Sequence, residues 1–125
     1  MYEWFDSNSQ VRTNFLTYNL DMKFLFDFKG KHIANVVNGQ LHATTGKNIG
    51  HLVPYYNIFI DMKGKYLGEI IYKNRFLFKK NNAYQGVNFG VYGNLGNVGN
   101  YGDPGNYGSI GIISGYSDIE IETLK

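Results

Sequence analysis

The chain has 125 residues, 43% hydrophobic and 17% aromatic, which suits one modest core with an appendage and leaves little room for a second site-bearing domain. Its net charge of +2 is unevenly spread, with eleven Lys/Arg against six Asp/Glu in residues 1–80 and one against four in residues 81–125. That excess is ordinary for a solvated surface and does not point to nucleic acid, and the lack of cysteine excludes disulfides, thiolate catalysis and Cys-based zinc sites.

The first ten residues hold no basic stretch followed by an apolar one, as a secretory signal would. No apolar run approaches the roughly 18 residues needed to span a bilayer. The expectation is a cytoplasmic protein without a membrane partner. Residues 4–11 read as a degenerate first copy of a repeat described below, with Ser9 where the other copies have glycine, and residues 11–23 read as strand in preference to a short helix.

From residue 24 a phrase recurs. Gly30-Lys31-His32-Ile33-Ala34, Gly46-Lys47-Asn48-Ile49-Gly50 and Gly64-Lys65-Tyr66-Leu67-Gly68 share one form, and the first and third are led by Asp27-Phe28-Lys29 and Asp61-Met62-Lys63. Asp bonds its own backbone in a tight turn and Gly accepts positive φ, so each phrase predicts a hairpin corner. The flanks, such as Phe24-Leu25-Phe26 and Ile58-Phe59-Ile60, are aromatic and β-branched, as strands are. Asn38-Gly39 predicts a second kind of hairpin turn, and Asn81-Asn82 marks another.

Consecutive phrases lie 16 and 18 residues apart, the length of two short strands and two turns. A single hairpin cannot bury its apolar face. Several must close together, so the expected fold is all-β, with repeated short hairpins forming a small toroid or barrel over residues 1–85.

Residues 86–125 form the second expected unit, a Gly/Asn/Tyr-rich segment with a C-terminal tail. Eight glycines recur at every third place from position 90 to position 111. This period fits a left-handed threefold backbone of the polyproline II type. Pro104 is the only proline in the tract, so the imino acids that stiffen a collagen helix are lacking. Two arrangements remain: a threefold helix packed on the domain or a neighbour, and a mobile low-complexity tail. A straight threefold path would reach about 75 Å, so a packed tract must turn back, project or bundle. Ile110, Ile112 and Ile113 are apolar residues that a solvated tail does not need.

The hairpin phrases, the Gly-Asn triplets and the closing Gly111-Ile112-Ile113-Ser114-Gly115-Tyr116-Ser117-Asp118-Ile119 together resemble an uncharacterised bacterial family, the four-fold beta-flower proteins. The resemblance covers about residues 24–120. It implies a radial arrangement of short hairpins and supplies no activity and no catalytic residues.

Little in the chain carries chemistry. His32, His42 and His51 lack the spacing of a metal pair and read as surface or turn-flanking residues. Asp27 and Asp61 occupy equivalent turns, which explains them without catalysis. No nucleophile elbow, P-loop or dinucleotide fingerprint is present. No enzyme activity, metal or cofactor is expected.

The expected role is a non-catalytic binding or assembly module whose partner is another protein or a second copy of the chain. The alternative is a glycan- or anion-binding module that uses a rim of Lys31, Lys47 and Lys65, with Tyr66 for stacking. Tyr101 and Tyr107 are further binding candidates, because tyrosine gives a large contact area with few rotors and a polar tip.

Overall fold

The computed structural model describes residues 22–91, 96 and 103–125. The degenerate copy at residues 4–11 and nearly all of the expected strand at residues 11–23 lie outside them.

Seven strands follow one another as an antiparallel meander: β1 (Met22–Phe26), β2 (His32–Val37), β3 (Gln40–Ala43), β4 (Asn48–Val53), β5 (Ile58–Asp61), β6 (Tyr66–Ile71) and β7 (Arg75–Lys79). A parallel bridge between Phe26 of β1 and Arg75 of β7 closes the sheet into a barrel. An eighth strand, β8 (Tyr116–Asp118), pairs antiparallel with β7, and the chain ends in a 3₁₀ turn, Ile121–Leu124. Among the described residues no helix is long and apolar enough to cross a membrane.

Closure follows from the shortness of the strands, none of which could hide its apolar face in an open sheet. A single core cluster draws on every strand of the meander, with Leu25, Ala34, Leu41, Ile49, Phe59, Leu67 and Phe76 from β1 to β7 in order. Phe59 and Phe76 meet edge to face at 5.5 Å between ring centroids. The all-β barrel of repeated hairpins is therefore as expected. The division after residue 85 is not a boundary of the core, because Ile119 and Leu124 are buried in the same cluster.

The Gly-Lys phrases form the corners between β1 and β2, β3 and β4, and β5 and β6. In the first, Asp27 N–H donates to Lys31 O at 3.0 Å and Gly30 N–H to Asp27 O at 3.1 Å. The Asp27 carboxylate accepts the Lys29 and Lys31 N–H groups at 3.0 and 2.9 Å. The Asp61 corner repeats all four bonds. In the middle corner Ala43 replaces Asp and only the two backbone bonds remain. The carboxylate thus reinforces a turn that the backbone and glycine already set.

A β-bulge follows each corner. Phe26 pairs with His32 but Leu25 with Ala34, so Ile33 is the extra residue; Ile49 and Leu67 hold the same place in the other two hairpins. All three extra side chains are buried in the core cluster. The bulge bends each strand around the bore and turns one more apolar group inward.

β7 and β8 make a fourth hairpin with an unusual corner. Lys80 N–H donates to Gly115 O at 2.8 Å, the bond that Asp27 N–H makes to Lys31 O and Asp61 N–H to Lys65 O. Residues 81–114 replace the three residues of an ordinary corner. Asn82 starts this excursion with the turn expected there, its side chain bonded to Lys79 O and Tyr84 N–H. The chain then passes over the other corners in reverse order. Phe89 N–H donates to Gly64 O at 2.9 Å, Gly96 O lies 3.4 Å from His42 Nε2, and Tyr107 N–H donates to Gly30 O at 2.9 Å.

The tract is not a continuous threefold helix. Gly90, Gly96 and Gly105 have φ of +94°, +97° and +79°, against about −75° in polyproline II. Nor is it a tail free of the domain, because its backbone is bonded to two corners and Ile110 N–H donates to Phe28 O at 2.9 Å. Glycine is needed at the corners themselves. Gly64 has φ +90°, and a Cβ there would lie 2.5 Å from Gly90 O and 2.8 Å from Gly90 N. Gly64→Ala is expected to cost about 1–3 kcal/mol of stability and to speed amide exchange at Phe89. Gly111→Ala, whose added Cβ meets nothing within 4 Å, should leave both unchanged. Equal denaturation midpoints for the two variants would contradict the close approach.

Candidate functional site

An antiparallel meander places alternate turns at the same end, so the three Gly-Lys corners share one end of the barrel. Lys31, Lys47 and Lys65 are exposed there with Lys29 and Lys63, and Lys79 and Lys80 at the end of β7 join them. Among the described residues the one ion pair is Lys125 with Glu122, so these lysines outnumber the Asp27, Asp61 and Asp118 carboxylates at the same end without pairing directly with them. The topology thus brings the lysines of the expected rim to one end of the barrel.

Tyr66 does not serve that rim as an open stacking platform. Its hydroxyl donates to Glu69 Oε2 at 2.8 Å and accepts the Lys79 N–H at 3.2 Å. Its ring stacks on Tyr84 with 5.6 Å between centroids, and Phe89 packs on Tyr84 in turn. Burial, helped by the Glu69 carboxylate, pushes the Tyr66 phenol well above its ordinary pKa. These rings fasten the start of the excursion to β6. Tyr101 lies outside the described residues.

Of the expected surface or turn-flanking histidines, His32 and His42 flank corners, but none lies open on the surface. His42 and His51 are each 2% exposed, and half-buried His32 places Nε2 2.6 Å from Asn35 Oδ1 while its ring meets Phe24 edge to face. Gly96 approaches the His42 ring from the excursion, and nothing in the sequence near His42 announces that contact. Among the described residues no three His, Asp or Glu side chains are grouped as metal ligands.

A concavity formed by described residues lies where the barrel closes. β1 and β7 meet at one bridge, and beyond it a groove of about 670 Å³ separates β1 from the turn between β6 and β7. Phe24 and Phe26 form one wall, Tyr72 and Lys73 the other, Tyr107 an end, and Lys23 a lip. Among the described residues no carboxylate lines it. Its volume lies within the range of small-ligand and side-chain pockets, about 300–1,000 Å³.

Arg75 holds this seam together. It is 5% exposed, donating Nη1 to Asp27 O at 3.0 Å, Nη2 to Gly108 O at 2.6 Å and Nε to Asn74 Oδ1 at 3.3 Å. Its guanidinium also lies 5.7 Å from the centre of the Tyr107 ring, which packs 4.6 Å from Phe26. One side chain thus ties the first corner, β7 and the returning excursion together. Among the described residues no carboxylate pairs with it, so its charge adds a positive field to the groove.

The opposite wall is strained. Tyr72 and Lys73 take φ of +52° and +75°, left-handed values that a side chain with a Cβ resists. The turn between β2 and β3 meets the same demand with Asn38 and Gly39, the residue types suited to it. Tyr72 is nevertheless held there 66% exposed. Sequence reasoning placed Tyr107 among the binding candidates but missed Lys73 and Arg75. A turn without glycine between Ile71 and Arg75 was the available signal.

Comparison with known proteins finds no match among family models, curated proteins or solved structures.

The buried histidine makes stability depend on pH. Burial holds the His51 imidazole below its ordinary pKa of 6.5, so as pH falls the unfolded chain takes up the proton first. Its contribution is complete above about pH 6.5 and is lost as pH drops through that value towards the folded pKa. Denaturant midpoints are expected to fall between about pH 7.5 and pH 5, with a shallower fall in His51→Gln. Identical slopes would assign the dependence to other groups.

Proposed function

We propose that this chain is a non-catalytic binding module that holds a protein partner in the groove at its seam. The observation that carries this reading is the strained Tyr72-Lys73 turn beside an aromatic cavity whose described lining holds no carboxylate. Two consecutive left-handed residues cost of the order of 1–3 kcal/mol each, and the chain uses Asn-Gly where it has no such need. Strain of this kind is retained where it presents a surface. The Asp27 and Asp61 carboxylates accept the backbone N–H groups of their own corners, which supports a structural role for them and a module without catalysis. Four hairpins around one bore also support the resemblance to the four-fold beta-flower proteins.

A second reading rests on the lysine end. Lys31, Lys47, Lys65 and their neighbours suit an acidic glycan or another polyanion, bound by charge without the ring of Tyr66. Changing Lys31, Lys47 and Lys65 together to Gln should then abolish retention on immobilised heparin, and undiminished retention would dismiss this reading.

The seam reading is tested with a photo-crosslinking amino acid at position 72, and at exposed Thr44 near the lysine end as control. A discrete protein adduct is expected from position 72 and none from position 44. Excess unlabelled wild-type chain should compete the adduct away. The double variant Tyr72→Asn, Lys73→Gly should fail to compete while melting higher, by about 1–3 kcal/mol of relieved strain. A destabilised double variant, or one that competes as well as wild type, would overturn the proposal.

A further inference from the structure

We infer that the groove recognises an extended peptide that adds edge to edge along β1, placing an apolar or aromatic side chain between Phe24 and Tyr72 and carboxylates at the lysine lips. This inference rests on reading the groove as a binding site.

The backbone supplies the first argument. On one side β1 pairs with β2 along its whole length, from Met22 opposite Val37 to Phe26 opposite His32. On the other it meets β7 only at Phe26, whose N–H donates to Asn74 O at 2.8 Å. Because the Phe26 N–H points away from β2, strand alternation directs the N–H and C=O of Phe24 away from β2 as well. Among the described residues no bond fills that edge at Phe24. An open edge of this kind is a template for another strand. β7 occupies the edge at Phe26, so the free stretch of β1 runs over residues 22–24 and can template about three residues of a partner strand, close to ~10 Å.

The side chains supply the second. Phe24 and Phe26 belong to one face of β1, and both line the groove. A strand laid beside β1 would direct alternate side chains onto that same face, where Phe24, Phe26 and Tyr72 offer apolar contact. Charge selects the remaining positions. Lys23 and Lys73 are exposed at the lips, Arg75 lies beneath, and none of the described lining residues is acidic. Carboxylates flanking the inserted side chain would meet only positive charge, whereas lysines would be repelled. The chemistry described is an alternating acidic and aromatic segment in extended form.

The test uses a fluorescein-labelled seven-residue peptide alternating Glu and Phe, added to the full chain. Fluorescence anisotropy should show saturable binding, and NMR should show a shifted Phe24 amide with slowed exchange. Methylating the peptide's alternate backbone nitrogens should weaken binding about tenfold or more, since each lost hydrogen bond is worth about 0.5–1.5 kcal/mol. Lys23→Glu with Lys73→Glu should weaken it similarly while leaving the denaturation midpoint unchanged. A methylated peptide that binds equally well, or an unperturbed Phe24 amide, would overturn edge addition. A Gln-for-Glu peptide of equal affinity would overturn the charge selection. If no such peptide binds while the crosslink from position 72 persists, the ligand class is wrong and the groove reading stands; if both fail, that reading falls too.

Discussion

The close approach of one backbone to another at the Gly30 and Gly64 corners is the constraint on which the rest of the structure depends. Phe89 and Tyr107 donate their N–H groups to the carbonyls of Gly64 and Gly30, and each contact is possible only because no Cβ stands in the way. Gly64 thereby serves two ends, giving β5 and β6 their turn and giving the excursion a place to land. Without these landings residues 81–114 would be a long solvated loop, with no fixed path from Lys80 to Gly115. With them, the excursion covers outward-facing rings and aliphatic side chains. Val53, Ile58 and Ile60 form a second cluster with Tyr66, Tyr84 and Phe89. The barrel is thus apolar on both faces of several strands, which explains why its sequence is richer in aromatic residues than a two-faced sheet of this size would need.

The same landing organises the seam. Tyr107 is fixed by its N–H bond to Gly30, and its ring then lies on Phe26 and under Arg75. Gly108 O meanwhile accepts from the guanidinium at 2.6 Å. The groove is therefore lined by three parts of the chain that are distant in sequence but joined by one buried cation. An Arg with three carbonyl partners is held in a single orientation, so the wall of the groove is preformed and binding need not meet the cost of ordering it. The strained Tyr72-Lys73 turn stands opposite this rigid wall.

Much of the barrel was legible because each hairpin corner is a local event. Asp27 and Asp61 bond within four residues, Gly30, Gly46 and Gly64 take positive φ in place, and Asn38-Gly39 makes its turn alone. Repetition of such corners left closure as the only way to bury the strands. The fourth hairpin was hidden because its halves are far apart, and neither Lys79-Lys80 nor Gly115-Tyr116 repeats the phrase of the others. The glycine period misled for a related reason. It suggested one regular helix, whereas the described residues follow a path of turns set by the corners beneath. A longer spacing was the better guide: Asn88-Phe89-Gly90, Asn97-Val98-Gly99 and Asn106-Tyr107-Gly108 stand nine residues apart, and the first and third meet successive Asp-Gly corners. The seam groove was illegible because its strain is a property of Tyr72 and Lys73 in place, and composition does not carry φ.

The divided fourth hairpin also orders events in time. Three corners close loops of three residues, whereas the last must bring Lys80 and Gly115 together across residues 81–114, at an added chain-entropy cost of roughly 2 kcal/mol. The described residues of that excursion take their purchase on the corners and strands of the first three hairpins. This dependence favours an order in which the first three hairpins form before the fourth closes and brings Ile119 and Leu124 to the core. A chain emerging from its N-terminus meets this order naturally, since each hairpin is complete before the residues that will seal it have been made.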